Sequence, residues 1–397
     1  ILRRLEICSG RRQEFVLRGS SFRFVLTMRS CAVWTCIVGA VAFDIDAHDA
    51  IGQTSASGMD QRAIKQLKRL MGGKDASDVA GWGHQVDDTF PGFAKLHFQE
   101  HDDGAEFCAS KADLRAKCEG NVCLVQALKH FYGRILSDEA QKMEYPAIDY
   151  SSIAKGIKVT DADALKMLIN LLGDLHQPLH LGYSGDDMGR KVRVIFRNKE
   201  ISLYEFWDST ISETVRNEES NFWLGGWTHV HRIQDDFEAD KAKWAKLGAF
   251  KMFDEWAQES VTFACKKAYM LPGGKMLAGP NAVQGPTIID DAAYRELRAA
   301  FLRQILLAGE RTAIVLNDIL ENKGASKLTL GSGLKTKADE EEEKQKADIA
   351  VERKATEWKE WRKRAMSRYT YGPFFTNLSI AVIVVPIFLI INQFGIR

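Results

Sequence analysis

The sequence lacks a strong charge of either sign, because its 54 lysines and arginines nearly balance its 53 aspartates and glutamates. This balance argues against a broad basic surface that binds nucleic acid, so that any polyanion has to bind at a local site. The sequence also lacks internal repeats, and it has no histidine outside residues 48–231. Imidazole chemistry is therefore expected in the first two-thirds of a chain whose 397 residues suffice for one large domain or two ordinary ones.

A first apolar segment follows Met28. It has one basic residue, an uncharged stretch over 31–41 and the small-x-small sequence Ala-Val-Ala. This pattern predicts a secretory signal peptide over 28–42 that is cleaved before Phe43, with a buried strand as the alternative. We expect residues 1–27 to be an upstream gene-model extension, because they hold six arginines and no second apolar span.

A second apolar segment, residues 374–394, carries no charge and is long enough to cross a bilayer. With a cleaved signal ahead of it, the body of the chain is expected to be luminal or extracellular and tethered to a membrane. A lipid-anchor signal in place of this helix is the alternative. Residues 323–370 are Gly/Ser-containing and then dense in both charges, which predicts a solvated stalk or single helix.

The body of the chain, residues 43–322, is predicted to be mostly helical. Apolar residues at three-to-four spacing indicate helices over 61–71, 124–136, 161–175, 246–270 and 292–320. Only residues 191–204 alternate as a hairpin does, with a turn at Arg197-Asn198-Lys199. We therefore predict a single all-α domain with a minor β-hairpin.

Four cysteines lie in this body. An even count in an oxidising compartment favours two disulfides. Cys118 and Cys123 are close enough to close a small loop, and a bond between Cys108 and Cys265 would join distant helices. Four buried thiols are the alternative.

One apolar helix carries acid and imidazole groups in LKMLINLLGDLHQPLHLG, residues 165–182. Asn170 and Asp174 lie one turn apart and share a face of the predicted helix. Pro178 ends that helix and His180 follows it, so that this stretch can direct its polar groups into one cavity. Because buried carboxylates and imidazoles without partners cost several kcal/mol, we expect partners for them there.

Donors of the same kind occur elsewhere in the chain. Tyr204 and Asp208, in LYEFWD, are again four residues apart, and His48, His84 and His97 add three imidazoles. Aspartates and imidazoles without nearby thiolates suit zinc or a similar divalent metal.

Each of these donors also has a structural interpretation. A lone histidine is more often a hydrogen-bonded core residue than a ligand, and Asp174 could bind backbone donors at a helix end. His229 and His231, in WTHVHR, have ligand-like spacing and are interpreted as structural.

The order of the motifs resembles that of one family. GDLHQPLHLG is close to the most diagnostic string of the zinc-dependent class I nucleases, the secreted single-strand-specific nuclease and 3′-nucleotidase family, which is related in fold to zinc phospholipase C. EFWDSTI, the late helical stretches EWAQESVTFACKKAYM and GERTAIVLNDIL, and the loop CEGNVC, where the family has a short disulfide, match further parts of its pattern. The resemblance covers residues 43–320.

The resemblance implies an all-helical fold built around a polynuclear cleft with up to three zinc ions. In the family, the mature chain begins with a tryptophan whose amino group and carbonyl oxygen ligate one ion, five residues before a histidine ligand. Phe43 and His48 stand in these two places, and phenylalanine can serve because backbone atoms do the binding. Signal removal then has a chemical purpose, since only a freed amine can coordinate.

The same resemblance assigns further roles. His97 matches a histidine ligand, Asp174 matches the carboxylate that bridges two ions, and His180 and Asp208 match ligands of the third ion. His176 matches a residue that supports the site without being a ligand.

Four positions depart from the family's pattern. His84 stands in place of an aspartate ligand, and Asn170 and Tyr204 stand in place of histidine ligands. Asn170 offers a neutral carbonyl oxygen, and Tyr204 would have to ionise from a pKa of ~10. Asp87 stands in place of an arginine that stabilises charge, and an acid repels a phosphoryl group.

The matches imply three ligand sets. The first ion takes Phe43, His48 and Asp174, the second takes His84, His97 and Asp174 with Asn170 if it reaches, and the third takes His180 and Asp208 with Tyr204 at best. We expect the two ions that Asp174 bridges to bind, and the third to bind weakly.

The implied reaction is hydrolysis of phosphodiesters in single-stranded DNA or RNA to give 5′-phosphates, with 3′-nucleotidase activity as a second possibility. A metal-bound hydroxide between the bridged ions would attack phosphorus, and the third ion would stabilise the departing 3′ oxygen. Asp174, His97 and His48 are the catalytic candidates. Phe98 is the candidate platform on which a base stacks, with a core aromatic as the alternative.

Two other functions stay open. A zinc phospholipase C would share the fold, although GDLHQPLH and the late helices are closer to the nuclease pattern. The departures at positions 84, 87, 170 and 204 favour a catalytically impaired, membrane-tethered relative that binds nucleic acid or a partner protein. We expect single-stranded nucleic acid or nucleotides as the partner, a membrane contact through the C-terminal helix, and a monomer.

Overall fold

The structure is a computed structural model. It describes residues 44–102, 112–115, 117–137, 142–219, 234–279, 285–322 and 333–371, together with isolated positions such as Cys108 and parts of 382–393. The predicted signal peptide, Phe43, His229 and His231 lie outside the described residues.

Helices dominate the described part of the chain. They are α1 (Ile45–Gly58), α2 (Gln61–Leu70), α3 (Ala76–Ala80), α4 (Trp82–Thr89), α5 (Leu124–Leu136), α6 (Asp161–Asp174), α7 (Leu203–Glu205), α8 (Ile211–Glu218), α9 (Gln234–Leu247), α10 (Ala249–Phe263), α11 (Asp291–Asn322) and α12 (Lys337–Tyr371). The strands are β1 (Arg193–Phe196), β2 (Lys199–Ser202), β3 (Met270–Leu271), β4 (Lys275–Met276) and β5 (Thr287–Ile289). The mostly helical class predicted from the sequence is confirmed.

Helix α6 is the central helix, and its sequence explains why. It begins at a capping box, in which Thr160 accepts from the backbone N–H of Asp163 and the side chain of Asp163 accepts from that of Thr160. Nearly all of its residues are buried, because apolar side chains cover most of its circumference. It contacts α5, α3, α4, α11 and α1, which places its carboxyl end deep inside the domain.

Two clusters of buried apolar side chains surround the carboxyl end of α6. Leu172 and Leu175, on either side of Asp174, belong to the cluster that α5, α6 and α10 share. Ala47 and Ile51, on either side of His48, belong to the cluster around the sheet and the first half of α11. The polar groups of α1 and α6 therefore meet where the two clusters adjoin.

The predicted hairpin is confirmed. β1 and β2 pair antiparallel, with Arg193 opposite Ser202. Arg197 and Asn198 form the turn with φ angles of 48° and 64°, the left-handed pair of a two-residue hairpin loop. Lys199 already begins β2, and β5 adds a parallel partner to β1 that the sequence pattern did not predict.

Both predicted disulfides are confirmed, so the alternative of four buried thiols is wrong. One joins Cys118 to Cys123. The other joins Cys108 to Cys265 across 157 residues of sequence, and so fastens the segment after residue 102 to the end of α10.

The segment predicted as a stalk begins against the domain. Leu334 and Thr336 are buried, and the backbone N–H groups of residues 333 and 334 donate to Asp163 Oδ2. From there α12 extends with exposed side chains as far as residue 365. Residues 374–394, predicted to cross a membrane, lie largely outside the described residues, and among those that are described no helix is both long and apolar enough to do so.

Candidate functional site

Three imidazoles converge on Asp174. His97 Nδ1 lies 2.7 Å from Asp174 Oδ2, and His180 Nδ1 and His48 Nε2 lie 3.2 and 3.4 Å from Oδ1. All four residues are fully buried. The structure thus brings together side chains that are up to 132 positions apart in the sequence. The predicted ligand sets require His48 and His97 beside Asp174, whereas His180 was assigned to the third ion and its contact with Asp174 was not predicted.

The outer nitrogens of two of these imidazoles face further carboxylates. His97 Nε2 lies 3.4 Å from Asp87 Oδ2, and His180 Nε2 lies 3.6 Å from Asp208 Oδ1. The hydroxyl of Tyr204 is 3.3 Å from the same nitrogen of His180. The acids and imidazoles therefore form one continuous chain from Asp87 through Asp174 to Asp208.

Two irregular turns of the backbone orient His180 and Asp208, which end this series of acids and imidazoles. After α6, Gln177 Oε1 accepts from the N–H groups of Leu179 and His180, and so caps a 3-10 turn over Pro178–Leu181. A π-helical turn over Phe206–Thr210 carries Asp208. Gln177 Nε2 also donates to Asp208 Oδ1 at 3.4 Å, which links the two irregular turns.

The other end of the site is built by α4. His84 is buried there, and its ring centroid lies 5.1 Å from that of His48 and 6.0 Å from that of His97. Asp87 lies three residues further along the same helix, where side chains share a face. Asp87 was predicted only as a repulsive acid, and α-helical spacing from His84 is the signal by which its contact with His97 could have been found.

Asn170 lies inside the site with its amide orientation fixed. Its Nδ2 donates to the carbonyl of Ala80 at 2.7 Å and lies 3.4 Å from His48 Nε2. Its Oδ1 is buried and has no hydrogen-bond partner among the described residues. A Cβ at Gly83 would overlap this oxygen and lie 2.7 Å from His97 Cε1, so glycine is required for α4 to approach α6 this closely.

Contacts between the acids and the imidazoles of the site set the protonation states of Asp174 and His97. Burial opposes ionisation of Asp174, but His97, His180 and His48 outweigh it and hold the pKa of this carboxyl well below its usual range. Burial likewise opposes protonation of His97, but Asp87 and Asp174 outweigh it and raise the pKa of His97 to about 10. At neutral pH the pair is therefore a carboxylate bound to an imidazolium.

At the end of the site near Tyr204, burial favours the neutral forms of the acidic groups. Burial, together with Asp208, raises the pKa of Tyr204 well above its ordinary value, so this residue is a neutral phenol. Burial also raises the pKa of Asp208, although His180 and Tyr204 partly offset the effect. A neutral phenol is a poor metal ligand, since the anion is the form that coordinates.

His176 faces away from Asp174. Its Nδ1 lies 2.8 Å from the carbonyl of Leu172, and its Nε2 lies 3.1 Å from Arg311 Nη1. Burial and the charge of Arg311 lower the pKa of His176 to about 3. It is a neutral imidazole that fixes the end of α6 against α11.

Phe98 is half-buried beside the site. Its ring centroid lies 4.5 Å from that of His180 and 6.3 Å from that of Tyr204. Arg190 lies over both aromatic rings, with its guanidinium carbon 3.9 Å from the Tyr204 centroid and 5.2 Å from the Phe98 centroid. Sequence reasoning missed Arg190, which belongs to no motif, and no spacing pattern could have found it.

The donors suit zinc in type, and they occur in pairs. Tetrahedral zinc with bonds of 2.0–2.1 Å holds its ligand atoms ~3.4 Å apart. The separations of His48 from Asp174 and of His97 from Asp87 have this value, and that of His180 from Asp208 is 0.2 Å longer than these. Within the described part of the chain no three imidazole, carboxylate or thiolate groups are arranged to hold an ion.

Complete ligand sets therefore need other donors. Asn170 Oδ1 is one, since it is a buried oxygen with no hydrogen-bond partner in the described structure. The backbone of Phe43 is another, and it lies outside the described residues. Asp44, the first residue that is described, donates its N–H to the carbonyl of Asp208 at 3.1 Å. The residues present thus fit zinc in chemistry.

Comparison with known proteins gives the class of this helical domain and its acid–imidazole centre. The model of the S1/P1 nuclease family matches residues 46–321, which is more than half of the chain. The chain therefore belongs to the S1/P1 nuclease family, and the resemblance seen in the sequence is confirmed.

Particular relatives of the chain are plant endonucleases. Endonuclease 2 of Arabidopsis thaliana is 24% identical over 280 residues, which cover 69% of this chain and 89% of the relative. Endonuclease 4 of the same plant is 23% identical over 299 residues, covering 72% and 92%. Endonuclease 3 is 24% identical over 295 residues, covering 72% and 91%. The similarity thus extends over nearly the whole length of each relative.

Proposed function

We propose that this protein is a zinc-dependent nuclease that hydrolyses phosphodiester bonds in single-stranded DNA or RNA and leaves 5′-phosphates. One observation carries the proposal: His48, His97 and His180 converge on the buried carboxylate of Asp174, in a chain of the S1/P1 nuclease family. The endonuclease names of its relatives support the reaction class. Removal of a terminal 3′-phosphate is a second activity to test on the same centre.

Zinc at this centre would supply Lewis-acid activation of water and neutralise charge on the phosphate. His48, Asp174 and the backbone of Phe43 would hold one ion. His84, His97 and Asp174, with Asn170, would hold a second after their side chains rearrange, because the described structure has no three such groups arranged to hold an ion. Asp174 is already ionised, whereas His97 has to release its proton before it can ligate.

The third ligand set is the weakest. His180 and Asp208 supply an imidazole and a carboxylate at 3.6 Å, but the neutral phenol of Tyr204 adds little. Gln177 and Tyr204 instead hold the Asp208 and His180 side chains in place by hydrogen bonds. These contacts orient the two groups for whatever cation they meet.

The proposal includes a secretory route for the chain. Two disulfides fit an oxidising compartment. Cleavage before Phe43 would free its amine, and this part of the proposal is supported by the hydrogen bond from the N–H of Asp44 to the backbone carbonyl of Asp208. A membrane tether through residues 374–394 is part of the same proposal.

The test uses the full chain on matched single-stranded and double-stranded oligonucleotides. We expect preferential cleavage of the single strands, loss of cleavage on zinc chelation and its return with added zinc. Asp174→Asn is expected to reduce turnover by about a hundredfold to a thousandfold, because it weakens the binding of both ions that would stabilise transition-state charge. Phosphatidylcholine serves as the control substrate. Cleavage that persists under chelation would overturn the zinc mechanism.

A catalytically impaired relative is the second candidate function. The specific observations that favour it are the neutral phenol of Tyr204 and the acid of Asp87 beside His97. On this alternative the native chain binds fewer than three ions and single strands stay intact. Elemental analysis and the cleavage assay, applied to the native chain and to Tyr204→His, would separate the active nuclease from the impaired relative. Only an impaired site gains both an ion and activity from the substitution.

A further inference from the structure

Arg190 is the cation that lies against the aromatic side of the site. Its guanidinium carbon lies 3.9 Å from the ring centroid of Tyr204, whose hydroxyl is 3.3 Å from His180 Nε2. Only one aromatic ring therefore separates this cation from the imidazole that contacts both Asp174 and Asp208. The side chain of Arg190 is 24% exposed, so it reaches solvent as well as the site.

The loop before Arg190 has an uncommon backbone. Asp187 and Met188 both have positive φ angles, 57° and 55°, and Gly189 follows with 82°. The left-handed region is unfavourable for non-glycine residues, and two of them in succession persist only where the surrounding structure fixes their conformation.

The surroundings of this loop do fix it. The N–H of Gly189 donates to Asp186 Oδ1 at 2.7 Å, and the hydroxyl of Tyr269 donates to the same oxygen at 3.2 Å. The N–H of Tyr204 donates to the carbonyl of Gly189 at 3.3 Å, which ties the loop directly to the site. The strained loop therefore holds Arg190 in one place over Tyr204.

The donors of Arg190 are largely uncommitted within the described structure. Its Nη1 donates to the carbonyl of Asp187 at 3.4 Å and lies 3.8 Å from the carboxylate of the same residue. That carboxylate is half-exposed, so the pair is weak. The contact with Tyr204 restricts the guanidinium and leaves N–H groups for a ligand. Arginine binds phosphate oxygens through such groups, often in a bidentate way.

The charge of the site calls for such a cation. Asp87, Asp174 and Asp208 are three buried or nearly buried acids, and a nucleic acid strand brings one negative charge per nucleotide. Asp87 lies at one end of the site, and the guanidinium of Arg190 lies at the other, beside His180 and Asp208.

We propose that Arg190, which lies over Tyr204 and beside Phe98, binds a phosphate of the substrate strand adjacent to the bond that is cut. This inference rests on the proposed nuclease function and names a second anion subsite for it. Arg190 is a substrate-binding residue that contacts the strand, while Phe98 and Tyr204 limit the positions that its guanidinium can take.

The test measures binding of a single-stranded phosphorothioate oligonucleotide, whose linkages resist hydrolysis, to the full chain over a range of salt concentrations. We expect Arg190→Gln to weaken binding about tenfold at low salt, since a hydrogen bond to a charged group is stronger than one between neutral groups. The slope of log affinity against log salt should fall by ~0.7, the value for one phosphate contact on a single strand.

Two variants act as controls. Arg193→Gln removes the same charge from β1, where the side chain pairs with Glu200 at 3.0 Å, and should leave affinity and slope unchanged. Arg190→Lys should keep the slope and lose part of the affinity, because it retains the charge without the planar fork. Thermal unfolding of each variant shows whether the fold is intact.

The outcomes separate this inference from the proposed function. An Arg190→Gln slope equal to that of the native chain overturns the subsite, even if the native chain cleaves single strands. An altered slope supports the subsite, even if the native chain proves inert and the proposed hydrolysis fails. Failure of all variants to bind the oligonucleotide overturns the subsite as well.

Discussion

Gly83 is the residue on which the approach of α4 to α6 depends. A methyl group there would overlap Asn170 Oδ1 and lie 2.7 Å from His97 Cε1. We expect Gly83→Ala to lower the free energy of unfolding of the metal-free protein by about 1–3 kcal/mol, the usual cost of overpacking a core. Chemical denaturation of the variant measures this change.

The matched control for that substitution is Gly81→Ala, one residue before α4. Its Cβ would come nearest to the side chain of Ile45, at 3.3 Å from Cγ2, and that side chain can move, while the Cα of Ile45 would lie at an ordinary contact distance of 3.7 Å. We expect a change of less than about 0.5 kcal/mol, as at sites without a core contact. Equal stability of the two variants would refute the argument from close approach.

His97 gives the site a pH dependence whose sign is fixed. Its pKa of about 10 means that it holds a proton through the neutral range, and a proton bound there has to leave before an ion binds. Apparent zinc affinity should therefore rise with pH, by about tenfold per pH unit below pH 10 for one released proton. Competition with a coloured chelator between pH 6 and pH 9 measures the slope.

Replacing the imidazole is the control for the pH effect. His97→Gln cannot hold the proton, so its zinc affinity should be lower and should vary less with pH. A pH-independent affinity of the native chain would show that zinc does not displace this proton.

At the residue scale, the sequence predicted the members of the site better than their contacts. His48, His97, Asp174 and His180 were predicted as donors and lie together. The contact of Asp87 with His97 could have been read from helical spacing on α4, but Arg190 depends on a loop of left-handed residues that no local pattern encodes. The metal-binding roles of the four predicted donors stay predictions.

At the scale of elements, helices with long apolar side chains were predictable and helices with small ones were not. The predicted segments 124–136 and 161–175 match α5 and α6 within one residue. Helix α1 was not predicted, because its buried face consists mainly of alanine, serine and glycine rather than of large apolar residues. That face still packs closely on α11, since small side chains let two helix axes approach.

One buried carboxylate binds the segment just before α12 to the domain. Asp163 Oδ2 accepts from the N–H of Thr160, and from those of residues 333 and 334. Asp163→Ala leaves these donors without their partner, so we expect a loss of about 3 kcal/mol in the free energy of unfolding. Limited proteolysis should also cut faster before α12, because its first turn is released.

A second N-terminal acid serves as the control for Asp163. Asp60 precedes α2, and its exposed side chain makes no capping hydrogen bond. Asp60→Ala should change stability by less than about 0.5 kcal/mol. If the two alanine variants unfold alike, the three backbone hydrogen bonds that Asp163 Oδ2 accepts are not what stabilises this junction.

At the scale of the whole molecule, two disulfides constrain the chain to very different extents. The bond between Cys108 and Cys265 closes 157 residues, whereas that between Cys118 and Cys123 closes five. Chain entropy assigns the longer loop about 5 kcal/mol of stabilisation and the shorter loop about 2 kcal/mol. The long bond also connects the segment before α5 to the end of α10, and so crosses the domain near its site.

The expected result follows from that difference in loop length. Cys108→Ser with Cys265→Ser should lower the free energy of unfolding by about 3 kcal/mol more than Cys118→Ser with Cys123→Ser, because it releases far more of the unfolded chain. Denaturant unfolding of both double variants, each compared with the oxidised chain, measures the difference. Equal losses would show that the bonds act through local contacts in the folded state, and that the helices around Asp174 hold their places without a covalent link across the domain.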